Sequence, residues 1–229
     1  MHISDIHMSM KGKDNCRISN MAEKELPDLI FITGDFVSRS ETDFKSAEIL
    51  LNRLCSIAPV YIISGNHEQS LPNFRQTEFL DMVKKSGAVM LENQGHYITI
   101  KNRKLWIGGV QQEYSTYKKN DSYSNLDRFT AEDMKSVMGD RPKGEVFLLA
   151  HNPLWAEIYA DWGADYTFSG HVHGGVIRLF GIGLLSPERK FFPKYSKGIY
   201  TIGKMKLCVS GGTGKLRLFN PPEIVIYKI

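Results

Sequence analysis

The chain has 229 residues, of which 42% are hydrophobic and 24% are charged, and its net charge is +4. This is the balance of an ordinary globular protein with one well-buried core, so we predict a single domain over residues 1–229. The 29 Lys and Arg residues are scattered and form no basic run, so no nucleic-acid partner is expected.

The cysteines and the hydropathy pattern bear on the location of the protein. Cys16, Cys55 and Cys208 are far apart and have no metal-ligand spacing, which is typical of a reduced intracellular protein. No stretch approaches the roughly 20 apolar residues of a membrane span, and the N-terminus lacks a signal peptide. We therefore expect a soluble cytoplasmic protein. Only four residues precede Asp5, which is short for a buried strand, so we expect the chain to begin inside a longer gene product.

Strands and helices alternate along the first two thirds of the chain. Short apolar runs rich in β-branched and aromatic residues predict buried strands at 29–32, 60–63, 105–107, 146–150 and 166–168. Apolar stripes of helical period and capping residues predict helices at 42–56, 73–86, 130–138 and 152–163. Gly87 is placed to end the second helix, and Thr130 with Asp133 fits a capping box. This alternation predicts an α/β fold with a sheet covered by helices.

The C-terminal third has a different pattern. Runs at 199–202, 207–210 and 223–229 predict strands, with Gly-rich or Pro-rich connections and no helix among them. We expect these strands to belong to a second, partly antiparallel sheet.

Polar side chains follow five of the predicted strands, including the short one before Asp5, at the points where the strands end. They are Asp5 and His7, Asp35, Asn66 with His67, His151, and His171 with His173. Open α/β sheets place their binding crevice at the carboxyl ends of the strands, so these residues should converge in space. Any one of these motifs alone could be an ordinary turn or a buried histidine; their occurrence together at strand ends is the informative observation.

The chemistry of the predicted cluster favours divalent metals. Carboxylate, amide and imidazole groups without a thiolate suit Mn, Fe or Zn. Seven such groups exceed the four ligands of one tetrahedral site, and two cations that share a carboxylate form the clamp used in phosphoryl chemistry.

At this point a family resemblance can be stated. The series Asp5-Ile6-His7, Gly34-Asp35, Gly65-Asn66-His67-Glu68, His151 and Gly170-His171-Val172-His173 resembles the complete signature of calcineurin-like metallophosphoesterases. The resemblance implies a four-layer α/β/β/α sandwich of two mixed sheets. It also implies hydrolysis of a phosphomonoester, phosphodiester or pyrophosphate by metal-bound hydroxide.

The resemblance further implies a role for each site residue. One metal would be held by Asp5, His7, Asp35 and His173, and the other by Asp35, Asn66, His151 and His171. His67 would donate a proton to the leaving oxygen or stabilise the transition state, and an imidazole with a pKa near neutrality suits the acid role. Two roles stay open for Glu68, which would either orient His67 or form a salt bridge.

The segments 193–198 and 210–223, rich in Gly and Pro, resemble the C-terminal part of a bacterial subgroup that includes membrane-associated phosphoesterases related to diacylglucosamine-pyrophosphate hydrolases. This similarity implies a lipid-linked or nucleotide-sugar substrate. Segment 176–200 mixes apolar residues, among them Phe191 and Phe192, with cations such as Arg189 and Lys190. Either it packs in the core, or it makes peripheral contact with a membrane and receives a lipid chain. A nuclease and a non-catalytic scaffold of the same fold are the alternative functions.

Overall fold

The computed structural model describes residues 1–7, 13–120, 122–175, 177–179, 182–186, 191–214 and 218–229. Val176, Phe180, Arg189 and Lys190, which belong to the segment predicted to contact a membrane, lie outside the described residues.

The described residues form twelve strands. They are β1 (His2–Ile3), β2 (Ile30–Thr33), β3 (Val60–Ile63), β4 (Val89–Met90), β5 (Gln94–Ile100), β6 (Arg103–Val110), β7 (Glu145–Ala150), β8 (Tyr166–Ser169), β9 (Ile177–Leu179), β10 (Ile182–Leu185), β11 (Gly198–Ile202) and β12 (Met205–Val209). The α-helices in the same residues are α1 (Lys13–Glu25), α2 (Lys45–Ile57), α3 (Asn66–Gln69), α4 (Asn73–Ser86), α5 (Ala131–Met138) and α6 (Ala156–Trp162). None of these helices is long and apolar enough to cross a membrane.

Two main sheets carry the fold. The first has the order β1-β2-β3-β4, and all its strands are parallel. The second has the order β11-β12-β8-β7-β6-β5, in which β12, β8, β7 and β6 are parallel and the two outer strands are antiparallel to their neighbours. The strands β9 and β10 form a separate antiparallel ribbon.

Three apolar clusters show how the layers pack. One lies between the two sheets and includes Phe31 and Ile63 from the first and Phe147 and Phe168 from the second. A second cluster fills the space between the first sheet and α1, α2 and α4, and a third lies between the second sheet and α5 and α6. The result is helix, sheet, sheet, helix, so the predicted four-layer α/β architecture is confirmed. Of the two sheets predicted to be mixed, only the second is mixed among the described strands, since the strands of the first are all parallel.

Most predicted elements are present. The short elements α3, β4, β9 and β10 were not predicted, and three further differences have a physical reason. Helix α1 was not predicted, because its only buried apolar side chains are Ile18 and Ala22, too few for a visible stripe. Strand β5 was also missed, since it is an edge strand with no fully buried residue. The strand predicted at 223–229 is wrong: of these residues only Val225 pairs with a strand, through one antiparallel bridge to His2.

The C-terminal strands do lie in a partly antiparallel sheet, as predicted. That sheet is built mainly from β5 to β8, and β12 extends it by pairing in parallel with β8.

Candidate metal centre

The two sheets deliver the predicted site residues to one edge of the sandwich. Asp5, Asp35 and Asn66 follow β1, β2 and β3 of the first sheet, and His151 and His171 follow β7 and β8 of the second. Because each group of strands is parallel, the carboxyl ends lie at the same edge, as the sequence predicted. The two groups are joined directly: the amide of His171 donates to both carboxylate oxygens of Asp5 at 3.0 Å.

The backbone at these positions is unusual. Asp5, His7, Asp35, His171 and His173 have φ angles of 50°, 53°, 50°, 67° and 55°, in the left-handed region that side chains other than glycine rarely adopt. Such conformations cost roughly 1–3 kcal/mol each and cluster at functional sites. The chain accepts this strain at five of the seven predicted ligands, which indicates that the direction of these side chains matters.

The first predicted ligand group is assembled. One ligand atom from each of Asp5, His7, Asp35 and His173 lies within 4.8 Å of the others. The Nε2 atoms of His7 and His173 are 3.2 Å apart, and their rings are stacked with centroids separated by 5.0 Å. Nε2 of His173 lies 3.6 Å from a carboxylate oxygen of Asp5, and Nε2 of His7 lies 3.8 Å from one of Asp35.

The second predicted group lies beside the first and is more deeply buried. Nε2 of His151 is 3.2 Å from Oδ1 of Asn66 and 3.5 Å from Oδ2 of Asp35. Nδ1 of His151 is 2.7 Å from the carbonyl oxygen of Thr33, which fixes the ring and turns Nε2 towards the cluster. The ring of His171 lies edge-on to that of His151, with centroids 4.9 Å apart.

His67 borders both groups. Its ring is 4.3 Å from that of His7, and its Nε2 is 4.0 Å from Asp35. Nδ1 accepts from the backbone N–H of Arg39 at 3.2 Å, which places the proton of a neutral ring on Nε2, the atom that faces the cluster. Burial lowers the pKa of His67 to about 3, in contrast to the near-neutral value expected from the sequence.

Both roles considered for Glu68 are wrong. Among the described residues, its side chain forms no hydrogen bond with His67 and no ion pair with a cation. Instead, Oε2 accepts from the amides of Asp35 at 2.9 Å and Gly65 at 2.7 Å, and Oε1 accepts from Val37 at 2.8 Å. Burial and then the charge of Asp35 raise the pKa of Glu68 to about 7.

The electrostatics of the cluster are those of buried carboxylates among imidazoles. Burial alone would raise the pKa of Asp35, but nearby imidazoles, first that of His151, hold it well below its usual range. Burial opposes the charged form of His151, yet the proximity of Asp35 raises the pKa of His151 to about 9. The imidazoles are the nearest compensation for the buried negative charge, because no Lys or Arg side chain pairs with Asp5 or Asp35 in the described part of the chain.

This donor set fits divalent cations. Two buried carboxylates, one amide oxygen and four imidazoles converge, and such oxygen and nitrogen ligands suit Mn, Fe or Zn. Two glycines leave room for this packing. A Cβ on Gly65 would lie 2.3 Å from Oδ1 of Asp35, and one on Gly170 would lie 2.4 Å from Oδ2 of Asp5. Only glycine can stand at these two positions without displacing a predicted ligand.

A chain of buried hydrogen bonds supports the His151 side of the site and was not predicted. Tyr117 packs edge-on against His171 with centroids 4.9 Å apart, and its hydroxyl donates to Gln112 at 2.7 Å. Gln112 donates to the hydroxyl of Tyr159, which donates to the carbonyl of Asn152, the residue after His151. These residues come from three separate segments, so no local sequence pattern could have indicated that they meet.

A pocket of about 530 Å³ opens beside the cluster and includes His171 in its wall. Trp155, Phe191 and Phe192 also line it, and Arg128 is among its polar lining residues. Phe191 and Phe192 are 77% and 66% exposed, so core packing, one of the two roles considered for their segment, does not hold for these rings.

Comparisons with known proteins agree with this geometry. A sequence model described as calcineurin-like phosphoesterase matches residues 1–175. Phosphodiesterase YaeI of Escherichia coli (strain K12) is 27% identical over 214 residues, which cover 90% of this chain and 72% of that protein. UDP-2,3-diacylglucosamine pyrophosphatase LpxG of Chlamydia muridarum is 23% identical over an alignment of 282 residues, gaps included, that covers the whole of this chain and 82% of that protein.

A solved structure shows the same fold. The crystal structure of phosphopantetheinyl hydrolase from Mycobacterium tuberculosis superposes with a TM-score of 0.58 over 90% of this chain and 86% of that one, at 14% identity.

Proposed function

The chain belongs to the calcineurin-like phosphoesterase family and is a metal-dependent hydrolase of phosphoesters, and on this premise we propose that it works with two divalent cations, Mn, Fe or Zn. The observation that carries the proposal is the number of convergent donors. Seven side chains meet at one edge of the sandwich, more than one cation can use.

The geometry favours one assignment of ligands. Asp5, His7, Asp35 and His173 would hold one cation, because their ligand atoms lie within 4.8 Å of one another. The other would be held by Asp35, which is shared, with three residues of the second group: Asn66, His151 and His171. When bound, the pair of cations would supply an activated water and offset the negative charge of the phosphoryl oxygens.

The role proposed for His67 is that of a neutral hydrogen-bond donor. The backbone N–H of Arg39 donates to Nδ1 of His67, so the Nε2–H group is directed to the cluster. Burial disfavours the imidazolium form of the ring. An Nε2–H donor can stabilise charge on a phosphoryl or leaving oxygen in the transition state.

Metal analysis tests the two-cation proposal. After reconstitution with Mn²⁺, the purified protein should contain two equivalents of metal per chain. Asn66→Ala should lower this to one, since Asn66 belongs to the second group alone. Asp35→Ala should lower both occupancies, because a bridging carboxylate serves both cations. One equivalent in the wild-type protein would refute the proposal.

A lipid-linked phosphoester is the substrate that we propose, with a nucleotide sugar as the related candidate. The LpxG relative is described as a pyrophosphatase of a diacylglucosamine nucleotide. The surface of this chain offers a matching feature, which we call the aromatic rim: Leu179, Phe191, Phe192, Leu218 and Phe219. All five are exposed.

The aromatic rim flanks the ribbon of β9 and β10 on both sides. Phe191 forms a bridge with Leu185 of β10, and Leu218 forms one with Ile177 of β9. Phe192 and Phe219 have φ angles of 52° and 58°, which bulky side chains seldom adopt. Because Phe191 and Phe192 also line the pocket that reaches His171, a lipid chain held at the rim would bring its phosphate towards the cluster. Peripheral contact with an anionic membrane follows from this proposal.

Liposome sedimentation tests whether the aromatic rim binds a membrane. The double variant Phe191→Ser with Phe192→Ser should lose binding to vesicles containing phosphatidylglycerol and activity on a lipid-linked substrate, and should keep activity on a small water-soluble diester. Phe74→Ser is the matched control, since Phe74 is 69% exposed but lies on α4. Equal loss on both substrates would mean that the two rings only support the fold.

The alternative functions are less well supported. A non-catalytic scaffold would not need the full ligand set that converges here. A nuclease would need a basic surface for a duplex, and the scattered cations of the sequence do not indicate one.

A further inference from the structure

We propose that Glu68 is a positioning residue that fixes the shared ligand Asp35 relative to Asn66 and so sets the geometry of the two-cation site. The inference rests on the proposed function, because it concerns the residues assigned to both cations. Glu68 itself would touch neither cation nor substrate.

The carboxylate of Glu68 ties two backbone segments together through three amides. It is 3% exposed, and its two oxygens accept from the amides of Asp35, Val37 and Gly65 at 2.7–2.9 Å. Asp35 and Val37 lie in the loop after β2, and Gly65 lies in the loop after β3. One side chain therefore joins the two loops that carry Asp35 and Asn66.

The contact is reciprocal, which makes it rigid. Glu68 holds the amide of Asp35, while the amide of His67 donates to Oδ1 of Asp35 at 2.8 Å. Helix α3, which begins with Asn66, therefore binds both the backbone amide and the side-chain carboxylate of Asp35. With one carboxylate oxygen engaged by His67, the other oxygen, Oδ2, is the one that lies near His151 and His7.

The pattern of donors explains why a carboxylate is required here. Three N–H groups point at two oxygens, and a carboxylate can accept from all three because neither oxygen needs to donate. In Glu68→Gln, the amide nitrogen would face at least one backbone donor and leave it unsatisfied. In Glu68→Asp, the charge is retained, but the side chain is one methylene shorter and cannot reach all three amides.

A simpler role for Glu68 would be to cap α3 through Gly65 alone. The bonds to Asp35 and Val37 belong to a different strand connection and go beyond a cap. The two roles differ in their consequence: a cap affects stability, whereas a positioning residue affects metal affinity in the folded protein.

Competition with a chelator for Mn²⁺ distinguishes the positioning role of Glu68 from the capping role. The affinity of Glu68→Gln for Mn²⁺, measured against a chelator, should fall about 10–100-fold, the range found for residues that orient ligands. Glu92→Gln is the matched control, because Glu92 accepts from Ser64 at 2.8 Å beside the same loop but contacts no proposed ligand. It should bind Mn²⁺ as the wild type does. The electron paramagnetic resonance spectrum of the Mn²⁺-loaded Glu68→Gln protein should also change, since the spacing of the cations depends on Asp35.

Circular dichroism and thermal unfolding of the metal-free variants separate folding from positioning. Should Glu68→Gln fail to fold, Glu68→Asp provides the test and should show a smaller loss of Mn²⁺ affinity. Wild-type affinity in a folded Glu68 variant, or an equal loss in Glu92→Gln, would overturn the inference. The proposed function is judged separately, by the metal content of the wild-type protein.

Discussion

The buried histidine at position 2 should make the stability of the protein fall in mild acid. His2 is fully buried, its Nε2 lies 2.8 Å from the hydroxyl of Thr33, and burial lowers its pKa to about 3. The unfolded chain would bind a proton at His2 below a pH of about 6.5, and the folded chain would exclude it. The contribution of His2 to stability is therefore present above that pH and is lost as the pH falls towards 3.

The size of the effect follows from the two pKa values. Each pH unit between them costs about 1.4 kcal/mol, so His2 should remove about 2 kcal/mol between pH 7 and pH 5. The pKa of His67 is lowered in the same direction and contributes a loss of the same sign. The informative quantity is therefore the difference between the wild type and His2→Leu, which lacks the titrating group.

Urea denaturation of the metal-free proteins at the two pH values measures this difference. His2→Leu should be less stable than the wild type near pH 7, because the hydroxyl of Thr33 loses a partner, and should lose about 2 kcal/mol less on acidification. Parallel pH curves for the wild type and His2→Leu would refute the reasoning.

Two further predictions concern the candidate metal centre. His67→Ala should lower kcat by roughly 10²–10⁴-fold and leave the metal content unchanged, because His67 faces the cluster without belonging to the proposed ligands; metal loss in this variant would contradict the assigned role. Gly170→Ala would place a Cβ 1.7 Å from Oγ of Ser4 and 2.4 Å from Oδ2 of Asp5, so thermal unfolding and chelator competition should both show large losses. Gly203→Ala, where φ is 56° and no atom lies within 4 Å of the added Cβ, should cost only about 1 kcal/mol, and an equal loss there would argue against a role for close packing at Gly170.

The predicted convergence of the polar residues followed from one physical rule. Parallel strands of one sheet end at the same edge, so side chains just beyond Thr33 and Ile63 had to approach one another once both strands were placed, as did those just beyond Ala150 and Ser169. Strand placement was reliable because the runs are fully buried and strongly apolar. The roles of individual ligands remain proposals, but the structure does bring together all eight residues named from the sequence.

What the sequence could not predict depends on contacts between distant segments. Glu68 was noticed for its place beside His67, yet its partners are amides 31 and 33 residues away and carry no sequence signature. The tail at 223–229 has the apolar content of a strand, but the edge beside it, β1, is only two residues long. A single bridge at Val225 is therefore the pairing that β1 allows.

The contact between the two sheets at the candidate metal centre has a consequence for folding. Asp5 and His171, which touch directly, are separated by 166 positions, so neither half of the chain can form the site alone. A cation that needs both halves binds only after the two sheets have docked, and it then stabilises the whole sandwich by an amount that rises with the logarithm of its concentration over its dissociation constant. A bound cation would thus hold the two sheets together. Removing it with a chelator should weaken the docking of one sheet on the other before either sheet unfolds.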